Sequence, residues 1–283
     1  MTDWQPSALQ LERIAYRRRR ARRSTLIAGV SSVVLLALVA FGIGSTPGWP
    51  RVRETFFDVH RGWEALPVVA QGLWLNIRVM LTCAVLIVIF GMTLAIMRTL
   101  RGPIFFPLRV FAAAYTDVFR GLPLLLVIFL LGFGVPALQL RGLPNQAVIW
   151  GGAALVLTYS SYVAEVFRAG IESVHPSQRA AARSLGLTHR QSMRIVVLPQ
   201  ALRTVTPALL NDFVALQKDV GLISVLGALD AVRYAQIEVG QRFNFTPYVV
   251  AGLLFVLLAV PSARLADHVS ARARRRQQSG SLL

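Results

Sequence analysis

The side chains that most often carry chemistry are sparse in this 283-residue chain. His60, His175, His189 and His268 are scattered, none lies in an HExxH pattern, and no serine stands in a GxSxG elbow. Cys83 is the single cysteine, which excludes an intramolecular disulfide, a CxxC metal site and an iron–sulfur cluster. Lys218 is the single lysine, between Gln217 and Asp219, so the chain has no Gly-Lys-Ser/Thr loop to hold nucleotide phosphates. What remains is a set of ionisable and amide residues set in apolar sequence: Asp117 and Arg120, Glu165 and Arg168, Asn211 and Asp212, Lys218 and Asp219. Charges at such positions are costly and mark sites of pairing or function. Glu165 and Arg168 are three apart, as are Asp117 and Arg120, so each pair shares a helix face and is expected to form an ion pair. Lys218 and Asp219 are expected to pair at an interface, and Arg78 to snorkel outward.

The elements that must hold these residues are membrane spans. Hydrophobic residues make up 55% of the chain, and they cluster into runs near the ~20 residues a helix needs to cross a bilayer. The expected fold class is an all-α polytopic membrane protein with about six transmembrane helices. The expected spans are 25–43, 72–97, 120–135 (with an interfacial helix over 107–119), 148–167, 201–217 and 248–265, with bends at Gly121, Pro123 and Pro207. The first follows Arg17 to Arg20, Arg22 and Arg23. Its length and the absence of an A-x-A site suggest an uncleaved signal anchor. The expected organisation is a basic segment over 1–24, the anchor over 25–43, an extracytoplasmic loop over 44–71, a core over 72–265 and a basic tail over 266–283.

A net charge of +17 would by itself suggest a nucleic-acid partner. The arginines are instead sorted by loop. With both termini cytoplasmic, twenty-two basic residues fall inside and six outside, which is the asymmetry that sets membrane topology. The tail residues Arg272, Arg274, Arg275 and Arg276 then read as a patch meeting anionic lipid.

Between the fourth and fifth spans lies a polar, arginine-rich segment, AAARSLGLTHRQSMRIVVLP, over 180–199. Local rules predict two short helices. Pro176 suits a first helical turn, with His175 or Ser177 as cap. Ala180, Ala181 and Ala182 favour helix, and Gly186 suits the left-handed residue that ends it. Thr188 and Gln191 match a capping box for the second helix, which Pro199 is expected to stop or bend. The alanines and Gly186 leave a small-residue surface that a partner can approach closely, with Arg179, Arg183, Arg190 and Arg194 at its rim. A plain amphipathic helix resting on headgroups is the competing reading.

This segment resembles the loop by which ABC importer permeases hold their ATPase: E-A-A, three residues, Gly, nine residues, I-x-L-P. Ala181, Ala182, Gly186, Leu198 and Pro199 fall in register, while Ala180 replaces the Glu and Val196 the Ile. Further segments resemble the polar amino-acid permease branch in order and spacing: Gln71 to Leu75, Tyr115 to Pro136 (FRGLPLL within it), Tyr162 to Val174, and LPQALR followed by Pro207, Asn211 and Lys218-Asp219. The resemblance implies an ABC importer type I permease fold in the bacterial cytoplasmic membrane, with an added first helix. It implies transport without an ATPase site in this chain. ATP and Mg would be bound by a partner ATPase dimer, and this chain would bind no cofactor. The other implied partners are a second permease subunit, the same or similar, and an extracytoplasmic substrate-binding protein. It further implies ATPase docking by Ala180, Ala181, Ala182, Arg183, Gly186, Leu198 and Pro199, in a loop over about 172–199. Depth in the spans makes Glu165, Asn211 and Asp212 candidates for a substrate path, with packing or pairing as their alternative roles. An ion-driven secondary transporter and a membrane scaffold are the rival readings.

Overall fold

The computed structural model describes residues 7–279 apart from residue 101; Arg101 lies outside the described residues, as do the side chains of Arg274, Arg275 and Arg276. Among the described residues every regular element is helical. The chain divides into two compact units, residues 1–55 and 56–283.

The first unit is built on α1 (Ala8–Gly44), a 37-residue helix. Ser7 and Gln10 form a capping box at its start. The helix runs unbroken from the arginine-rich segment into the apolar one, so the expected anchor is the second half of a longer rod. α2 (Trp49–Phe56) follows after a short turn.

The second unit opens with α3 (Val59–Thr99), whose first turn is capped by Asp58 accepting from the Arg61 amide at 3.1 Å. At 1.5 Å per residue its 41 residues extend about 60 Å, roughly twice the hydrocarbon thickness. Residues 59–71, expected as loop, are therefore helical. α4 (Phe106–Gly121) and α5 (Leu124–Ala137) are the two arms of one bent pair, turned by 104°. The break has a local cause: Pro123 pushes Leu122 into an extended conformation, ψ 135°, and the helix cannot continue through it. The expected span over 120–135 is thus mostly α5, and α4 is the helix expected at the interface.

α6 (Ala147–Ser173) is the hub, packed on α3, α4, α5 and α9. Leu155, Val163 and Phe167 on α6 meet Ile87 of α3 and Val205 and Leu216 of α9 in the main apolar core. α7 (Pro176–Ser184) and α8 (His189–Ser192) follow, then a π-helical turn over Met193–Val197 that leads without a break into α9 (Leu198–Asp219). A 3-10 turn over Val220–Leu226, α10 (Ala231–Arg242) and α11 (Thr246–Ser279) complete the unit. Among the described residues α1, α3, α6 and α11 are each long and apolar enough to cross a membrane, and the count reaches six if each of the two bent pairs is one span.

At the end of the unit where α3 begins, α3 is pinned to α10. Asp230 is fully buried and accepts from Asn76 Nδ2 at 3.0 Å and from the Arg233 amide at 2.8 Å, while Asn76 Oδ1 receives the Ala231 amide at 3.1 Å. Gly72 makes this contact possible, because a Cβ there would lie 2.4 Å from the Asp230 backbone.

Candidate functional site

The polar segment between α6 and α9 folds as a knob. His175 Nδ1 caps α7 by accepting from the Ser177 amide at 3.2 Å. Gly186 adopts φ +77°, the Gly186 amide bonds to the Arg183 carbonyl at 2.9 Å, and the Leu187 amide bonds to the Ala182 carbonyl at 3.2 Å. That pair of bonds is a Schellman ending, which requires a left-handed residue at this point. Thr188 and Gln191 complete the capping box of α8. Local sequence rules therefore account for both short helices.

Pro199 behaves differently from expectation. It neither stops the second helix nor turns the chain away; it lies in the first turn of α9. The π turn before it supplies the register change that accommodates a residue without an amide hydrogen. Arg179 also departs from the expected rim position: it is half-buried and donates from Nη2 to the Ile171 carbonyl, tying α7 to the end of α6. Ile171, Val174, Val197 and Ala201 pack beneath the knob, with Met193 and Leu198 beside them. Ala182 faces inward, whereas Ala180, Ala181, Arg183, Gly186 and Pro199 are exposed and Leu198 is half-buried. Two apolar side chains missed by sequence reasoning stand out on the same knob: Leu185 is 82% exposed and Ile195 60%. Adjacency to the helix-ending glycine was the one signal that pointed to Leu185.

The embedded charges fall into separate places. Glu165 is the centre of an arginine cluster. Arg98 of α3 donates to Glu165 Oε2 at 2.8 Å, Arg168 Nε to the same oxygen at 3.1 Å, and Arg168 Nη2 reaches Oε1. Arg120 Nη1 lies 4.0 Å away. Arg168 also bridges to Glu172. The expected Glu165–Arg168 pair is present, as part of a larger network. The expected Asp117–Arg120 pair is not formed among the described residues: Asp117 is exposed, and Arg120 turns instead towards the Glu165 carboxylate on α6, which Arg98 and Arg168 already hold. Lys218 and Asp219 do not pair either. Asp219 Oδ2 accepts instead from the Tyr159 hydroxyl at 2.7 Å, since neighbours on a helix point about 100° apart.

Asp212 and Asp219 line a polar cavity of about 280 Å³ between α6, α9 and the start of α5, together with Thr158, Tyr159 and Tyr162. Tyr159 and Tyr162 meet edge to face at 6.2 Å. Thr158 is 2% exposed, and its Oγ1 has no hydrogen-bond partner; Asp212 Oδ2 is buried and equally without one. Buried polar atoms are normally satisfied, so two open ones on one cavity set it apart from the apolar core around it. Of the three path candidates only Asp212 lines this cavity. Asn211, one residue earlier on α9, is exposed, and Glu165 is held in the arginine cluster. Thr158, Tyr159 and Tyr162 were not singled out from sequence; hydroxyls are common in membrane helices, and spacing alone does not distinguish these.

Residues 87–275 match the family described as "Binding-protein-dependent transport system inner membrane component". The chain is similar to the arginine transport system permease protein ArtQ of Bacillus subtilis (strain 168), 31% identical over 196 residues, covering 69% of this chain and 87% of ArtQ. It is similar to the glutamate/aspartate import permease protein GltK of Escherichia coli O6:H1, 32% identical over 223 residues, covering 76% and 98% of the two chains. Among solved structures, one described as an amino acid ABC transporter with histidines superposes with a TM-score of 0.69 at 31% identity, over 76% of this chain and 98% of the other. An inward-facing structure of the MetNI methionine ABC transporter shares the fold, with a TM-score of 0.60 at 16% identity, over 73% of this chain and 96% of the other. A family match over most of the chain, on a fold whose knob and polar cavity lie inside the matched residues, settles its membership: this protein belongs to the binding-protein-dependent transport system inner membrane components.

Proposed function

We propose that this chain is the membrane-spanning permease subunit of an ATP-binding-cassette importer for a polar amino acid or a related solute. The observation that carries the proposal is the exposed knob of α7 and α8, turned between its two helices at Gly186 and rooted on α6 and α9. The residues offered to the ATPase are Ala180, Ala181, Arg183, Gly186 and Leu185 at the surface, with Ala182, Leu198 and Pro199 fixing the shape. The ATPase is a separate polypeptide that binds ATP and Mg. A second permease subunit and an extracytoplasmic substrate-binding protein complete the assembly.

The core spans 72–265, and both termini and the knob face the cytoplasm; the arginine asymmetry supports that orientation. Asp212, with Thr158, Tyr159 and Tyr162, lies on the solute path, where the two carboxylates of the cavity suit the ammonium group of an amino acid. The names of the relatives support an amino-acid solute.

Two measurements on the full chain in native membranes test this reading. Gly186→Asp is expected to abolish co-purification of a P-loop ATPase and uptake while leaving membrane insertion intact. Gly186→Asn tolerates the same backbone and separates loss of the turn from obstruction of the surface. Uptake by the purified assembly that runs on an ion gradient without ATP would overturn the proposal in favour of a secondary transporter.

A further inference from the structure

α3 carries two arginines within its apolar stretch, Arg78 and Arg98, and they are treated differently. Twenty residues separate them, about 30 Å along the helix and the thickness of a bilayer's hydrocarbon core. Arg98, at one boundary, is bonded to Glu165. Arg78, at the other, is exposed, and among the described residues it has no ion-pair partner.

Below Arg78 a groove of about 650 Å³ runs between α3 and α6. Leu75, Arg78 and Val148 line its mouth, Cys83 and Gly152 its middle, and Phe90 its far end. From Arg78 to Phe90 is about 18 Å of helix, close to the depth of one leaflet. The lining is apolar except for Arg78 and Thr82, and the Thr82 hydroxyl is already bonded to the Arg78 carbonyl at 2.9 Å. The groove thus has the volume and length to take a single acyl chain along α3, with one guanidinium at its mouth.

We propose that this groove binds one anionic phospholipid from the leaflet at the Arg78 end, with an acyl tail along α3 and α6 and the phosphate on the Arg78 guanidinium. Charge complementarity selects the occupant. Guanidinium forms paired hydrogen bonds to phosphate oxygens, and a lipid delivers a phosphate at the depth where Arg78 ends. A transmembrane helix filling the groove would need a carboxylate at that level, and residues 25–44 of α1 contain none.

The test is native mass spectrometry and lipid extraction on the full chain, purified with its partners in mild detergent. Wild-type protein is expected to retain about one phospholipid per chain, enriched in anionic headgroups, on the scale of the attraction of one arginine to an anionic surface. Arg78→Gln is expected to lower that retention about fivefold. Arg78→Lys keeps the charge but not the paired hydrogen bonds and is expected to retain lipid at a level between wild type and Arg78→Gln, which a merely structural role for the arginine would not produce. Ala153→Phe, placed in the lining, is expected to expel the lipid whatever its headgroup. Equal lipid retention in wild type, Arg78→Gln and Ala153→Phe would overturn the proposal. So would efficient disulfide cross-linking of two copies through Ile149→Cys in a Cys83→Ser background, because the groove would then be filled by a second chain.

Discussion

Thr158 Oγ1 and Asp212 Oδ2 are the two polar atoms that the cavity between α6 and α9 leaves unanswered. Their consequences for stability and function have opposite signs. Removing a buried hydroxyl that has no partner abolishes a desolvation cost, so Thr158→Val is expected to unfold within about 1 kcal/mol of wild type or to be slightly more stable. Uptake in the same variant is expected to fall if the proposed solute path runs through this cavity, because the solute then loses a hydrogen bond. Thermal unfolding of detergent-solubilised protein beside uptake at equal membrane abundance checks both halves. Asp212→Asn keeps shape and removes charge, and is expected to lower uptake more than Thr158→Val does, by roughly 10- to 100-fold if the carboxylate meets an ammonium group. Asp212 was legible in the sequence because a carboxylate in apolar surroundings is conspicuous. Its partners on α6 were not, since Tyr159 and Tyr162 look like ordinary core aromatics until the helices are packed.

At the scale of elements, the cluster around Glu165 joins α3, α4 and α6 through one carboxylate that answers Arg98, Arg168 and Arg120. A simple charge swap is therefore expected to fail. Arg98→Glu with Glu165→Arg restores one pair but sets a new guanidinium against Arg168 and Arg120, so membrane abundance should stay as low as in Glu165→Ala alone. A double variant at wild-type abundance would show that the Arg98 contact is the only one that matters. The contact of α3 with α10 is sensitive to a single carbon. Gly72→Ala places a Cβ 2.4 Å from Asp230 backbone that cannot yield as a side chain would, and is expected to cost about 1–3 kcal/mol, read as a lowered Tm. The sequence marked the helical periods, the knob and its caps, because these obey local rules. It did not mark the Asn76–Asp230 pin or the destination of Arg120, which depend on residues 154 and 45 positions apart meeting across packed helices.

For the whole molecule, the division at Thr55 has a direct test. The unit from Phe56 onward holds the apolar core, the knob and the polar cavity. A chain beginning at Phe56 is expected to insert, to reach a Tm near that of the full protein and to co-purify with the proposed ATPase. Reporter fusions to the full chain are expected to place both ends in the cytoplasm, and removal of α1 to leave the new N-terminus outside. The expected six spans agree with the structure when each of the two bent pairs is one span, and the apolar stretches were readable from hydropathy. The right-angled break between α4 and α5, and the helical continuation of α3 well past the hydrocarbon, were not, because hydropathy records where a chain is apolar and not where its axis turns.

The π turn over Met193–Val197 joins the knob to α9 without an intervening loop, and the cluster of Ile171, Val174, Val197 and Ala201 welds the joint from below. A loop would absorb a push. This joint makes α8 the short arm of a crank and α9 its shaft, so a push on the knob, such as the proposed ATPase contact would supply, is delivered three turns and more along the shaft, at the face that carries Asp212.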